Sequence, residues 1–178
     1  MKIPASIEIA QKARELEVKG VKIINLSVGQ PDFKAPINQK TLRKVLNSSN
    51  HSEYSSSYGT SELRKLISTL VNKKHNLSSS PSNVVVTPGA KLGLLYAINA
   101  VCPKDSEVII PEPCWMSYKE ICEYSGVHVK SISGKQECKF IPTLDEILNK
   151  ITSATSAIII CNPVNPSGVC WPKTTLKN

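Results

Sequence analysis

The sequence lacks the features that would tie it to a membrane, a metal or a nucleic acid. No apolar run approaches the length of a bilayer-spanning helix, and Met1-Lys2-Ile3-Pro4-Ala5-Ser6 carries a charge but no long apolar stretch. A soluble cytosolic protein with no membrane partner is therefore expected. The six cysteines (Cys102, Cys114, Cys122, Cys138, Cys161 and Cys170) show no Cys-x-x-Cys spacing. That favours structural thiols in a reducing compartment over disulfides or a zinc site. Without a secretory signal, the sequons at Asn47-Ser48-Ser49 and Asn76-Leu77-Ser78 carry little weight. Arginine is scarce, with Arg14, Arg43 and Arg64 alone. The net charge is +8, yet the lysines are scattered and no basic stripe is interleaved with aromatics, so nucleic acid is not an expected partner. His51, His75 and His128 fit no catalytic pattern. Neither an internal repeat nor a low-complexity linker is present.

What the chain does have is regular alternation. Its 178 residues are 40% hydrophobic, enough to bury a core. Residues 5 to 19 read as an amphipathic helix with Ile3, Ile7, Ala10 and Ala13 at helical spacing and Gly20 as its stop. Val21 to Leu26 reads as a short extended segment leading to Gly29-Gln30-Pro31-Asp32-Phe33. After a Ser- and Asn-rich loop around residues 47 to 57, Leu63, Leu66, Ile67, Leu70 and Val71 mark a helix. Asn83 to Thr87 is expected as a buried strand, followed by a helix to about Val101, strand Glu107 to Ile110, helix Ser117 to Tyr124 and strand His128 to Ile132. Thr143 and Glu146 make a capping box for a helix with an apolar face of Leu144, Ile147, Leu148 and Ile151. Ala157-Ile158-Ile159-Ile160-Cys161 is short, apolar and β-branched, as in a strand covered on both faces. Strands separated by helices predict an α/β fold, a doubly wound, mainly parallel sheet with helices on both faces.

Three of the turns after these strands carry chemistry. Thr87-Pro88-Gly89-Ala90-Lys91 runs from a strand into a helix N-terminus, where free N–H groups and the helix dipole favour an anion. Gly89 permits close backbone approach and Ala90 adds no bulk, so the amides of Ala90 and Lys91 suit phosphate oxygens. Alone, the same residues also fit simple punctuation. In Pro111-Glu112-Pro113-Cys114-Trp115-Met116-Ser117-Tyr118, Trp115 is either a core residue or an aromatic held at the sheet edge to stack on a planar ring. Asn162-Pro163-Val164-Asn165-Pro166-Ser167-Gly168 ends a strand with two Asn-Pro steps. It is either a Pro-rich turn with capping asparagines or a corner that directs the Asn165 amide at a ligand.

Together with Glu53-Tyr54-Ser55-Ser56-Ser57-Tyr58-Gly59-Thr60-Ser61-Glu62-Leu63-Arg64 and the Gly29 segment, these stretches make five motifs in order. The set, from about residue 3 to residue 173, resembles the class I/II aminotransferases, fold type I enzymes that use pyridoxal 5'-phosphate, and in particular their aspartate aminotransferase-like members. The resemblance implies that Gly89, Ala90 and Lys91 bind the cofactor phosphate, that Trp115 stacks on its pyridine ring and that Asn165 hydrogen-bonds its phenolic oxygen. It implies that Tyr54 reaches the cofactor phosphate of the neighbouring subunit, and hence a homodimer. Gly29, with Gln30 where the family has Glu, would approach the substrate carboxylate through its backbone. It further implies residues 1–45 as an N-terminal helix and small-domain, substrate-loop segment, and residues 46–178 as part of the cofactor-binding large domain.

The resemblance also implies groups that these residues do not supply. In the family, a Schiff-base lysine, an acidic partner for the pyridine nitrogen and an arginine clamp for the substrate carboxylate follow the asparagine motif. No Ser-x-x-Lys occurs here. Lys91 matches the phosphate segment, and the three arginines match no clamp. The expectation is the front half of an aminotransferase, truncated or split, inactive alone and without a catalytic residue of its own. An open strand edge would then make it marginal as an isolated chain, or require a complementing C-terminal chain. The ancestral reaction would move an amino group from an amino acid to a 2-oxo acid. The alternative is a non-catalytic phosphate- or cofactor-binding module, or a dimerising remnant.

Overall fold

The computed structural model describes residues 5–26, 29, 31, 33–47 and 54–177. Of the sequence-predicted positions, Ile3, Gln30, Asp32, Ser48, Ser49, His51 and Glu53 lie outside the described residues. The chain divides into two compact units, Met1–Tyr54 and Ser55–Asn178.

In the first unit, helix α1 spans Ala5–Val18, one residue shorter than predicted. It ends where the N–H groups of Gly20 and Val21 turn back to the carbonyls of Glu17 and Leu16 at 2.9 and 3.0 Å. Helix α2, Gln39–Leu46, was not expected from the sequence. It starts at Asn38, whose side-chain oxygen accepts from the N–H groups of Lys40 and Thr41 at 3.0 and 3.4 Å. Val21 to Leu26 carries no strand pairing.

The second unit contains α3 (Ser61–His75), α4 (Ala90–Val101), β1 (Glu107–Glu112), α5 (Ser117–Tyr124), β2 (His128–Ser133), α6 (Leu144–Leu148), β3 (Thr155–Ile158) and α7 (Lys173–Lys177). The three strands form a parallel sheet in the order β2-β1-β3. Central β1 explains why its sequence is apolar without alternation: Val108, Ile109 and Ile110 are fully buried, each contributing about 2 kcal/mol of apolar transfer. Val108 and Ile110 pack with Ile98 and Cys102 at the end of α4, Ile121 and Cys122 of α5, and Val127. On the other face Ile109 packs with Ile132, Ile147 of α6 and Trp171. Helix-covered faces on both sides of a parallel sheet are the α/β architecture expected. The Thr143–Glu146 capping box is formed, with reciprocal bonds of 3.2 and 2.7 Å.

Three expectations are corrected. Asn83 to Thr87 is not a strand among the described residues: Asn83 ends a short 3-10 turn, Pro81–Asn83, and no neighbouring strand lies beside the rest. Its polar groups are met by the Tyr58 turn and by α3 instead: Val86 N–H donates to Tyr58 O at 3.0 Å and Arg64 Nε donates to Val84 O at 2.9 Å. Strand β3 begins and ends earlier than predicted and is covered on one face only. Ala157 and Ile159 pack inward, while Ile158 and Ile160 remain 37% and 45% exposed. Cys161 therefore lies past the strand end and is half-buried. Finally, α3 forms where its periodicity predicts, capped by Thr60 and by left-handed Asn76, but Leu63, Leu66 and Leu70 of its apolar stripe are exposed.

Candidate functional site

The turn before α4 is shaped by Gly89, at φ +86° and ψ 157°, a conformation essentially reserved for glycine. A Cβ built there would meet nothing within 4 Å, so the space in front of this turn is open. No side chain caps α4, and the N–H groups of Ala90 and Lys91 have no acceptor among the described residues. The preceding segment is fixed by its contact with the Tyr58–Arg64 stretch. A Cβ at Gly59 would stand 2.6 Å from Val86, and the Arg64 guanidinium lies 5.6 Å from the Tyr58 ring centroid. The motif leading into α3 thus braces the turn leading into α4.

Trp115 lies three residues beyond β1, after the cis Glu112–Pro113 bond, and is half-buried. Tyr118 meets it edge-on, with ring centroids 5.4 Å apart at 90°. The Lys91 ammonium lies 5.7 Å from the Trp115 ring centroid and donates to Ser117 Oγ at 3.0 Å. The structure therefore brings the α4 turn and Trp115 together through a side chain from which the sequence suggested only a backbone role. Glu112, at the carboxyl end of β1, is paired with Lys119 and accepts from Ser131 Oγ of β2 at 2.8 Å. The Lys119 hydrogen bond, followed by that of Ser131, holds its carboxyl below the usual range.

Beyond β3, the Asn-Pro turn contains cis bonds at Asn162–Pro163 and Asn165–Pro166 and closes with Gly168 N–H donating to Val164 O at 2.7 Å. The Asn165 side chain finds no hydrogen-bond partner among the described residues. It lines one cleft with Pro111, Cys114, Tyr118, Cys161 and Trp171, so the ends of neighbouring strands β1 and β3 share this edge. Parallel sheets bind ligands at such carboxyl edges. The Tyr118 phenol in this cleft is pushed up to about 12, first by burial and then by its hydrogen bond to Cys161.

Gly29 and Tyr54 belong to the first unit. Gly29 has open space where a Cβ would stand, and Tyr54 is fully exposed. Sequence reasoning missed Ser117, Glu120, Tyr118 and Trp171. For the first three a weak signal existed, since Ser117-Tyr118-Lys119-Glu120 follows the Pro-x-Pro-x-Trp run directly. Trp171 gave none, because its importance lies in a contact with β1 far along the chain.

The sequence matches the family model of aminotransferase class I and II over residues 21–178. Aspartate/prephenate aminotransferase of Thermus thermophilus is 30% identical over 177 residues, covering 99% of this chain and 46% of that protein. Aspartate aminotransferase of Bacillus subtilis is 34% identical over 173 residues, covering 96% and 44% respectively. Among solved structures, the Thermus thermophilus aspartate aminotransferase with maleate superposes with a TM-score of 0.93 at 31% identity, covering 99% of this chain and 46% of the other. The Rhizobium meliloti aspartate aminotransferase gives 0.89 at 26% identity, covering 99% and 44%. The chain spans less than half the length of these relatives.

Proposed function

The chain belongs to the class I and II aminotransferases, and from that premise we propose that it supplies the cofactor-holding edge of an amino-transfer site. The family is pyridoxal 5'-phosphate-dependent, and the whole protein would pass an amino group from an amino acid to a 2-oxo acid. One observation carries the reading. Asn165 lines a single cleft at the carboxyl edge of the sheet with Pro111, Cys114 and Tyr118, Tyr118 contacts Trp115, and Lys91 links Trp115 and Ser117 to the uncapped α4 turn.

The residues present fit the cofactor. A phosphate needs unpartnered N–H groups and no steric cover, which the opening at Gly89 and the free amides of Ala90 and Lys91 provide. Trp115 offers an aromatic face, and the unpartnered Asn165 amide would donate to the phenolic oxygen. When bound, pyridoxal 5'-phosphate supplies an electron sink for the substrate carbon and an acceptor for the amino group. Gly29 would present its backbone to the substrate carboxylate. Fully exposed Tyr54 would reach the phosphate site of a second copy, making the assembly a homodimer. Residues 1–45 would form the substrate-loop segment and residues 46–178 part of the large domain.

No residue of this chain is assigned the lysine amine that engages the cofactor aldehyde. Lys91 is occupied by Ser117 and Glu120, and the Arg64 guanidinium is bound to Val84 O, so neither is available as catalytic amine or carboxylate clamp. These residues alone are therefore expected to give no turnover, and a complementing segment or chain would supply the lysine, acid and arginine. All six cysteines are free thiols, which suits a reducing compartment such as the cytoplasm.

The test is a spectral titration of the chain with pyridoxal 5'-phosphate, repeated on Trp115→Ala and Asn165→Ala. Saturable binding that both substitutions weaken supports the reading. Binding indifferent to both, or none by the wild-type chain, refutes it.

A further inference from the structure

The Lys91 side chain leaves the first turn of α4 and reaches three groups on the segment after β1. Its ammonium is 3.0 Å from Ser117 Oγ, 3.5 Å from Glu120 Oε2 and 5.7 Å from the centre of the Trp115 indole. Ser117 is 6% exposed and donates to the same Glu120 Oε2 at 3.1 Å. The carboxylate therefore holds both the hydroxyl and the ammonium, on the first turn of α5. Tyr118 meets the indole in a T-shaped contact, with ring centroids 5.4 Å apart at 90°. A ring in T-shaped contact with one aromatic and with a cation over its face has few orientations left.

We propose that Lys91, Ser117 and Glu120 form a positioning relay that sets the plane of the Trp115 indole relative to the α4 turn. The two surfaces assigned above to the cofactor ring and its phosphate would then be spaced by one side-chain network rather than by backbone alone. Glu120 turns the ammonium toward the indole, so Lys91 acts through Trp115 and not as counter-ion to the phosphate. The proposal rests on the preceding reading only for what the indole stacks on. The relay itself is a property of the free chain.

The full chain labelled with 5-fluorotryptophan tests it by fluorine NMR. It contains two tryptophans, Trp115 and Trp171, so it gives two resonances, assigned with Trp115→Phe. Trp171, buried in the other cluster, reports whether the fold is intact. Glu120→Gln and Lys91→Met are expected to shift the Trp115 resonance by more than its linewidth and leave that of Trp171 in place. Lys91→Arg, which keeps the cation, should hold the Trp115 resonance near its wild-type position. An unmoved Trp115 resonance in Lys91→Met overturns the relay, as does an equal displacement in Lys91→Arg. If Glu120→Gln unfolds the chain, the Trp171 resonance reports it and the two Lys91 variants decide alone.

Titration with pyridoxal 5'-phosphate and with phosphate-free pyridoxal gives a second readout. Lys91→Met should weaken both by the same factor, about two- to fivefold. A loss confined to the phosphorylated compound makes Lys91 a phosphate counter-ion and overturns the relay. Absence of binding by either compound would refute the cofactor reading, while the resonances still decide the relay.

Discussion

The backbone N–H of Trp171 donates to the side-chain oxygen of Asn162 at 3.0 Å, fastening the far end of the Asn-Pro turn to its beginning. Trp171 is 6% exposed and packs with Ile109, Ile132 and Ile147, so the loop that carries Asn165 is anchored in the core on one side and bound to itself on the other. Asn162→Ala leaves a buried N–H without its partner and should cost about 1–3 kcal/mol. Urea unfolding would show this as a lower midpoint at unchanged slope. An unchanged midpoint would mean that the bond does not hold the turn.

Gly89→Ala tests the other side of the site. A Cβ would find no atom to strike, so the cost is backbone strain alone, about 1–3 kcal/mol at φ +86°. Urea unfolding reads that cost as a lower midpoint at unchanged slope. A midpoint unchanged from that of the wild type would contradict the assignment.

Much of this was legible in the sequence because the signals were local. The α5 boundaries, the Thr143–Glu146 box and the Gly89 turn all depend on neighbours within a few residues. The errors arise where partners decide. Val84 to Thr87 has the composition of a strand, but a strand needs a neighbour to pair with, and the described residues place none beside it. The stripe on α3 predicts a helix correctly yet says nothing of what covers it, and Leu66 and Leu70 are 61% and 64% exposed. At the site, Gly89, Trp115 and Asn165 stood out through turn chemistry. The Lys91–Glu120 pairing spans 29 residues (120 − 91) and leaves no local trace.

The Glu112–Lys119 pair fixes a pH dependence. Glu112 is lowered first by its hydrogen bond with Lys119, so its contribution is present above the ordinary glutamate value and is lost as pH falls through the lowered one. Lys119 is raised first by its hydrogen bond with Glu112, so its contribution is present below the ordinary lysine value and is lost as pH rises through the raised one. The pair stabilises fully between about pH 4.5 and about pH 10.5. Glu112→Gln should flatten both limbs of a plot of urea midpoint against pH. Limbs as steep as those of the wild type would exclude the pair as their source.

The cysteines should separate by burial. Burial raises the thiols of Cys102 and Cys122, that of Cys122 to about 11, whereas Cys138 and Cys170 are exposed. Peptide mapping during iodoacetamide treatment near neutral pH should find Cys138 and Cys170 modified first, and Cys102 and Cys122 only after denaturant is added. Uniform labelling in the absence of denaturant would show that the packing of α4 and α5 against β1 is not maintained.

The proposal that this chain holds pyridoxal 5'-phosphate without supplying the lysine that engages it is put to the test by mass spectrometry of the full chain mixed with the cofactor and treated with borohydride. One cofactor per site is expected under native conditions, lost on denaturation even after reduction. A stoichiometric adduct on a single lysine that survives denaturation would contradict it, as would a native spectrum with no bound cofactor.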